Sequence, residues 1–121
     1  MSGSHSINLG NAWEVEPRDA GQAFAWVRRF GRPTGLGGTD AVWLVIDASA
    51  DAAVTLNGAA LPATTTAAPY RANVAPLLRE RNLLVLVPRV AVATAAPPPA
   101  RGPLPAVLGR VRLEVVPGGN A

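Results

Sequence analysis

Few side chains in this chain could move a proton, attack a carbon or hold a metal. There is a single histidine, His5, and it sits in the polar start MSGSHSINLG, so no Ser-His-Asp arrangement is within reach. There is no cysteine, which removes thiolate catalysis, a disulfide framework and any cysteine-based metal site, and leaves the redox compartment open. Asp47 and Asp51 are close in sequence, but an acid–base pair has to face across a cleft, and these two flank one tight break between apolar runs. Aspartates at such a break more simply accept hydrogen bonds from nearby backbone N–H groups. Their oxygens also suit calcium, yet too few other acids fall nearby in sequence to complete a shell, so neither a metal nor another cofactor is expected. No catalytic residue is predicted.

The charged residues do not point to a polyanion partner. All eleven basic residues are arginines scattered from Arg18 to Arg112, and the net charge is +3. Nucleic-acid binding calls for a concentrated basic stripe or arm, and none is present. A membrane partner is not expected either, because no apolar run approaches the roughly 18 residues that span a bilayer. The N-terminus lacks a charged start followed by an apolar stretch, so it is not a secretory signal as written. A trimmed native start would make the protein secreted or periplasmic, and location is left open.

The elements that must position these residues are short. A chain of 121 residues fits one domain and can fold without disulfides or metals. Twelve glycines and twelve prolines divide it into pieces of strand length. Residues 11–16 and 22–30 read as strands. In the second, Phe24, Trp26, Arg28 and Phe30 share a parity that suits a core face, with Arg28 at a margin or paired. The glycine-rich stretch 31–40 is a loop. Residues 41–48 are apolar on both parities, as in a strand covered on both faces. Residues 52–56 and 59–62 flank Asn57-Gly58, whose tolerance of positive φ makes it a strong hairpin signal. Residues 70–74 extend again, 75–81 suit one helical turn with Pro76 at an early position, and 82–87 form the most apolar strand. Val111, Leu113 and Val115 alternate with Arg110, Arg112 and Glu114 in a final strand. About eight strands with one short helical turn predict an all-β, antiparallel β-sandwich. The expected organisation is a disordered tail over 1–10, one sandwich over 11–117 and a second tail over 118–121. The proline-rich 89–109 would cross the surface as a strap, since its prolines bar it from a sheet interior.

The order of WVRRF at 26–30, VWLVIDASADAAVTLNGAAL at 42–61 and PYRANVAPLLRERNLLVLVP at 69–88 resembles the galactose-binding-like jelly roll. It is most similar to the N-terminal sugar-binding domain of family 2 glycoside hydrolases. Arg28, Phe30, Asp47, Asn57, Gly58, Tyr70, Leu77, Leu78, Asn82 and Leu84 match that order. The resemblance implies a jelly-roll fold and a non-catalytic, carbohydrate-binding role, because the family's catalytic glutamates belong to a separate barrel domain. PATTTAAP at 62–69 departs from the glycine- and histidine-containing loop often found there.

Flat rings pack on the apolar face of a pyranose, and Asp, Asn and Arg hold its hydroxyls. Phe24, Trp26 and Phe30 read as core, Trp43 leans to packing, and Trp13 and Tyr70 are the better surface candidates, with core filling at least as good a reading of them. Tracing strands up and down gathers 17–21, 47–51, 62–69 and the strap at one rim. The resemblance points to such a loop end for ligands, so Arg18, Asp47, Asp51, Thr65, Tyr70 and Arg101 are the predicted ligand-binding residues. The alternative is a structural or protein-interaction module without a sugar ligand. It would self-associate or dock a protein partner through the strap AAPPPARGPLP, which offers extended backbone without internal hydrogen bonds.

Overall fold

Alternation decides the faces of the last strand: Val111, Leu113 and Val115 are buried, and Arg112 and Glu114 lie on the outer surface. The computed structural model describes residues 5–10, 12–18, 23–33, 35–37, 39–48, 51–65, 70–88, 100–105 and 108–117. Within these, ten strands form two antiparallel sheets: β1 (His5–Asn8), β2 (Trp13–Arg18), β3 (Ala23–Gly31), β4 (Ala41–Ile46), β5 (Ala52–Leu56), β6 (Ala59–Thr64), β7 (Tyr70–Asn73), β8 (Arg81–Pro88), β9 (Arg101–Gly102) and β10 (Val111–Val116). The small sheet runs β1-β10-β4-β7 and the large one β6-β5-β8-β3-β2-β9. This is the all-β antiparallel sandwich expected from the strand pattern.

The core lies between the layers. Val42, Leu44 and Ile46 of β4 meet Val54 and Leu56 of β5 and Leu84 and Leu86 of β8 in one buried cluster. Each such side chain contributes roughly 1.5–3 kcal/mol on full burial, so the cluster, with no disulfide among the described residues, is what holds the layers together. Arg28 is paired as its position suggested: its Nε donates to Leu9 O at 2.8 Å.

Three differences from the sequence expectations have local causes. His5–Asn8 is a strand and not a disordered tail, pairing from His5 opposite Val115 to Asn8 opposite Arg112. A polar HSIN carries no strong strand signal, but the free edge of β10 offers backbone donors and acceptors that any extended segment can satisfy. Ile7 packs against the core, and Leu9, buried, donates its N–H to Val111 O at 3.1 Å. Within the strap, Arg101–Gly102 pairs with Trp13 and Glu14 as an edge strand, where neighbouring prolines cost no ladder bonds. Residues 89–99, 106–107 and 118–121, and with them most of the strap and the C-terminal tail, lie outside the described residues. The helical turn is a short 3-10 segment, Ala75–Leu77, with Pro76 at its start. Asn57 and Gly58 both take positive φ, 54° and 83°, as the hairpin reading requires.

Candidate functional site

A cleft lies at the hairpin end of the large sheet. It has a volume of about 850 Å³ and is lined by residues 29–31, Asn57 and 79–83. Its framework is a pair of asparagines. Asn82, 3% exposed, donates its amide to Arg79 O at 2.9 Å and, more weakly, to Phe30 O at 3.4 Å. Its Oδ1 accepts from Arg79 N and from Asn57 Nδ2, both at 2.9 Å. Asn57 also donates to Leu77 O at 2.9 Å and accepts from Leu83 N at 2.8 Å. The donors of both amides are fully engaged, so these side chains shape the cleft and have little capacity left for a ligand.

The groups that face the opening are arginines. In the pairing of β3 with β8, Gly31 lies opposite Arg81 and Arg29 opposite Leu83, so these four residues share one face. Gly31 leaves a gap between the two arginines: a Cβ there would meet nothing closer than Glu80 O, at 3.9 Å. Arg29 is bonded to Glu14. Arg32, beside the cleft, donates its N–H to Glu80 O at 3.1 Å. Among the described residues, nothing hydrogen-bonds to or ion-pairs with the guanidinium groups of Arg79 and Arg81.

The rim predicted from loop length is at the other end, and it is only partly assembled. Ala52 pairs with Pro88 and Thr64, and Arg18 pairs with Ala23, so Asp51, Thr65 and the backbone of Arg18 come to one end of the large sheet. Ile46 pairs with Tyr70, which brings Asp47 and Tyr70 to the adjoining end of the small sheet. Arg101 does not join them. It pairs with Glu14, four residues along β2 from Arg18 and hence roughly 13 Å away in the strand direction. The strap reaches the sheet at the start of β2, which moves Arg101 from the expected rim.

The chemistry of that rim also differs from expectation. Tyr70 is 7% exposed and part of the core cluster, so it offers no surface ring, and Trp13 is likewise fully buried. Among the described residues the Tyr70 hydroxyl has no hydrogen-bond partner, and burial raises its pKa by penalising the phenolate. Asp47 is exposed but engaged: Arg112 Nη1 donates to its Oδ2 at 3.2 Å. Arg112 Nε also meets Glu114 at 3.2 Å, and Glu114 accepts from Arg71 at 3.3 Å. The Arg71 guanidinium lies 4.6 Å from the Trp43 ring centre, so that ring carries a cation on its face. Asp51 and Thr65 are exposed. Among the described residues no three His, Asp or Glu side chains converge on a metal-sized site.

Sequence reasoning passed over Arg29, Arg79 and Arg81 because the 75–81 turn belongs to the rim with shorter loops. The local signal was limited to two arginines bracketing Glu80 just before the most apolar strand.

Neither a protein-family model nor a curated protein sequence matches the chain. Solved structures do. An FMN-binding β-glucuronidase from Facaelibacterium prausnitzii L2-6 is similar with a TM-score of 0.69 at 18% identity, over 94% of this chain and 23% of its own. A Bifidobacterium dentium β-glucuronidase complexed with coumarin-3-O-glucuronide gives 0.67 at 17% identity, over 97% and 31%. A rhamnosidase from Novosphingobium sp. PP1Y gives 0.65 at 17% identity, over 95% and 15%. Glycoside hydrolases contain this fold. The chain spans less than a third of each of these enzymes, and at such identities the likeness is one of architecture.

Proposed function

We propose that this β-sandwich is an accessory module of a glycoside hydrolase that binds carbohydrate and does not itself cleave it. The observation that carries this is coverage: nearly all of the chain superimposes on a minor part of much longer sugar-cleaving enzymes. The non-catalytic part rests on chemistry. A retaining or inverting pair needs two carboxylates about 5–9.5 Å apart across a cleft, and Glu80 is the sole acid lining the cleft described above. That cleft falls within the roughly 300–1,000 Å³ of small-ligand sites, with Leu83 as apolar surface and arginines as hydrogen-bond donors. It is a better carbohydrate site than the predicted rim, whose aromatic is buried and whose Asp47 is already paired.

Calorimetric titration of the folded chain against a panel of neutral and acidic oligosaccharides tests this. Saturable heats with at least one glycan, with no released reducing sugar, are expected. Flat responses across the panel from well-folded protein would overturn it.

A second reading, a protein-docking module, draws on one specific feature. The outer face of the small sheet carries the continuous series Asp47–Arg112–Glu114–Arg71 over Trp43. An ordered polar face with a half-buried tryptophan suits packing against another domain. Protection of the Trp43 neighbourhood in hydrogen exchange on adding the catalytic part of the parent enzyme would favour it.

A further inference from the structure

We infer that the cleft beside Gly31 takes an acidic saccharide, with a uronate carboxylate held by Arg79 and Arg81. This rests on the carbohydrate-binding reading and adds the chemical class of the ligand.

The side chains of Arg28, Arg29, Arg32, Arg71 and Arg112 each meet an acceptor in the protein. Among the described residues nothing engages the guanidinium groups of Arg79, Arg81, Arg101 and Arg110, and of these four Arg79 and Arg81 line the cleft. Glu80, between them, also lines it, while Arg29 adds a third guanidinium. The cleft therefore carries an excess of positive charge.

The shape suits a ring with a carboxylate on its rim. Gly31 sits between Arg29 and Arg81 with open space above it, and Leu83, on the same face, supplies apolar surface beside that space. A pyranose can lay its apolar face there while its carboxylate reaches the donors. A guanidinium fork matches a carboxylate with two parallel hydrogen bonds, which a neutral hydroxymethyl group cannot do. The support beneath the arginines is rigid. The Arg79 backbone N–H and C=O are both bonded to Asn82, at 2.9 Å each, and Arg81 is in register with Gly31. The side chains can therefore be changed without removing these backbone bonds.

The test compares an oligogalacturonate with its methyl ester, which has the same skeleton and no charge. Titrations of the full chain and of the Arg79→Gln/Arg81→Gln double variant are run at about 20 and 200 mM salt, a range over which exposed charges become strongly screened. The acid should bind the unaltered chain about tenfold or more tightly than the ester, and the preference should shrink in high salt and vanish in the double variant. A third chain, Gly31→Val, keeps every charge and fills the gap. It should lose binding of both ligands while keeping its thermal midpoint, since Gly31 does not need positive φ. Equal binding of acid and ester overturns the inference and leaves the carbohydrate reading standing. Binding of neither overturns the inference, while the carbohydrate reading stands or falls on the glycan panel. An acid preference that survives the double variant, or a sulfated oligosaccharide that displaces the uronate, overturns the assignment to these two arginines and a carboxylate.

Discussion

Removing the Asn82 side chain should unfold more than its own contacts. The amide makes three hydrogen bonds at 2.9 Å and one at 3.4 Å, the last long enough to count for little. Each well-formed bond contributes about 1 kcal/mol net, and a buried partner left without one costs about 1–3 kcal/mol. Asn82→Ala strands Arg79 N–H, Arg79 C=O and one Asn57 N–H, in a region only partly buried, so water relieves part of the loss. About 3 kcal/mol is the resulting estimate. At roughly 2.1 cal/mol/K per residue, unfolding entropy for a chain of 121 residues makes 1 kcal/mol worth about 4 °C, so the midpoint should fall by about 12 °C. The partner variant is Asn57→Gly, because Asn57 sits at φ 54° and any other small residue would add strain. Since Asn57 Nδ2 donates to Asn82 Oδ1, the two changes should couple by at least about 0.5 kcal/mol in a double-mutant cycle. Urea melts of the four chains measure this. A loss under about 1 kcal/mol for Asn82→Ala, or strict additivity, would show that solvent replaces the network and that it does not set the cleft.

Other outcomes follow from single contacts. Gly109, at φ +62°, would put a Cβ only 2.2 Å from Asp47 O, so Gly109→Ala should cost more than about 2 kcal/mol, read as a lowered urea midpoint and shifted amides around Asp47 and Arg110. Tyr70→Phe deletes a buried hydroxyl with no partner and should be neutral or stabilising by up to about 1 kcal/mol; a loss beyond that would reveal an unseen partner. Burial raises the Tyr70 pKa above its ordinary 10.0, so the folded state holds that proton more tightly. Its contribution is complete below pH 10.0 and is lost as pH rises through the folded value, a decline that Tyr70→Phe should lack in melts from pH 8 to 11. Because Tyr70 is the chain's single tyrosine, phenolate absorbance reports this group alone. Arg71→Ala should uncover the Trp43 ring and red-shift its emission, at a stability cost under about 1 kcal/mol, because the stacked cation is half exposed.

The strands of the sandwich were legible where the signal is local. RVRLEVV shows its two faces by alternation, and the structure buries Val111, Leu113 and Val115. Asn57-Gly58 announces a hairpin because few residues accept the backbone that the turn requires. The doubly apolar AVWLVI read as covered on both faces, but only its Val42, Leu44 and Ile46 side meets the other layer; on the outer side Trp43 is half-buried and Val45 is buried beside its paired neighbours Arg112 and Arg71. His5–Asn8 was not legible, because its strand state comes from the β10 edge and not from its own side chains. Nor was the fate of Tyr70 or Trp13: an aromatic at a strand end points to core or solvent according to a layer that is distant in sequence.

What the residues decide by themselves is therefore periodicity and turns, each set within a few residues by backbone sterics and side-chain chemistry. Tertiary structure alone decided which end of the sandwich opens into a cleft. Gly31, Asn57 and Arg81 come together only when β3, β5 and β8 pair side by side, and a contact between residues fifty positions apart leaves no local mark in the chain.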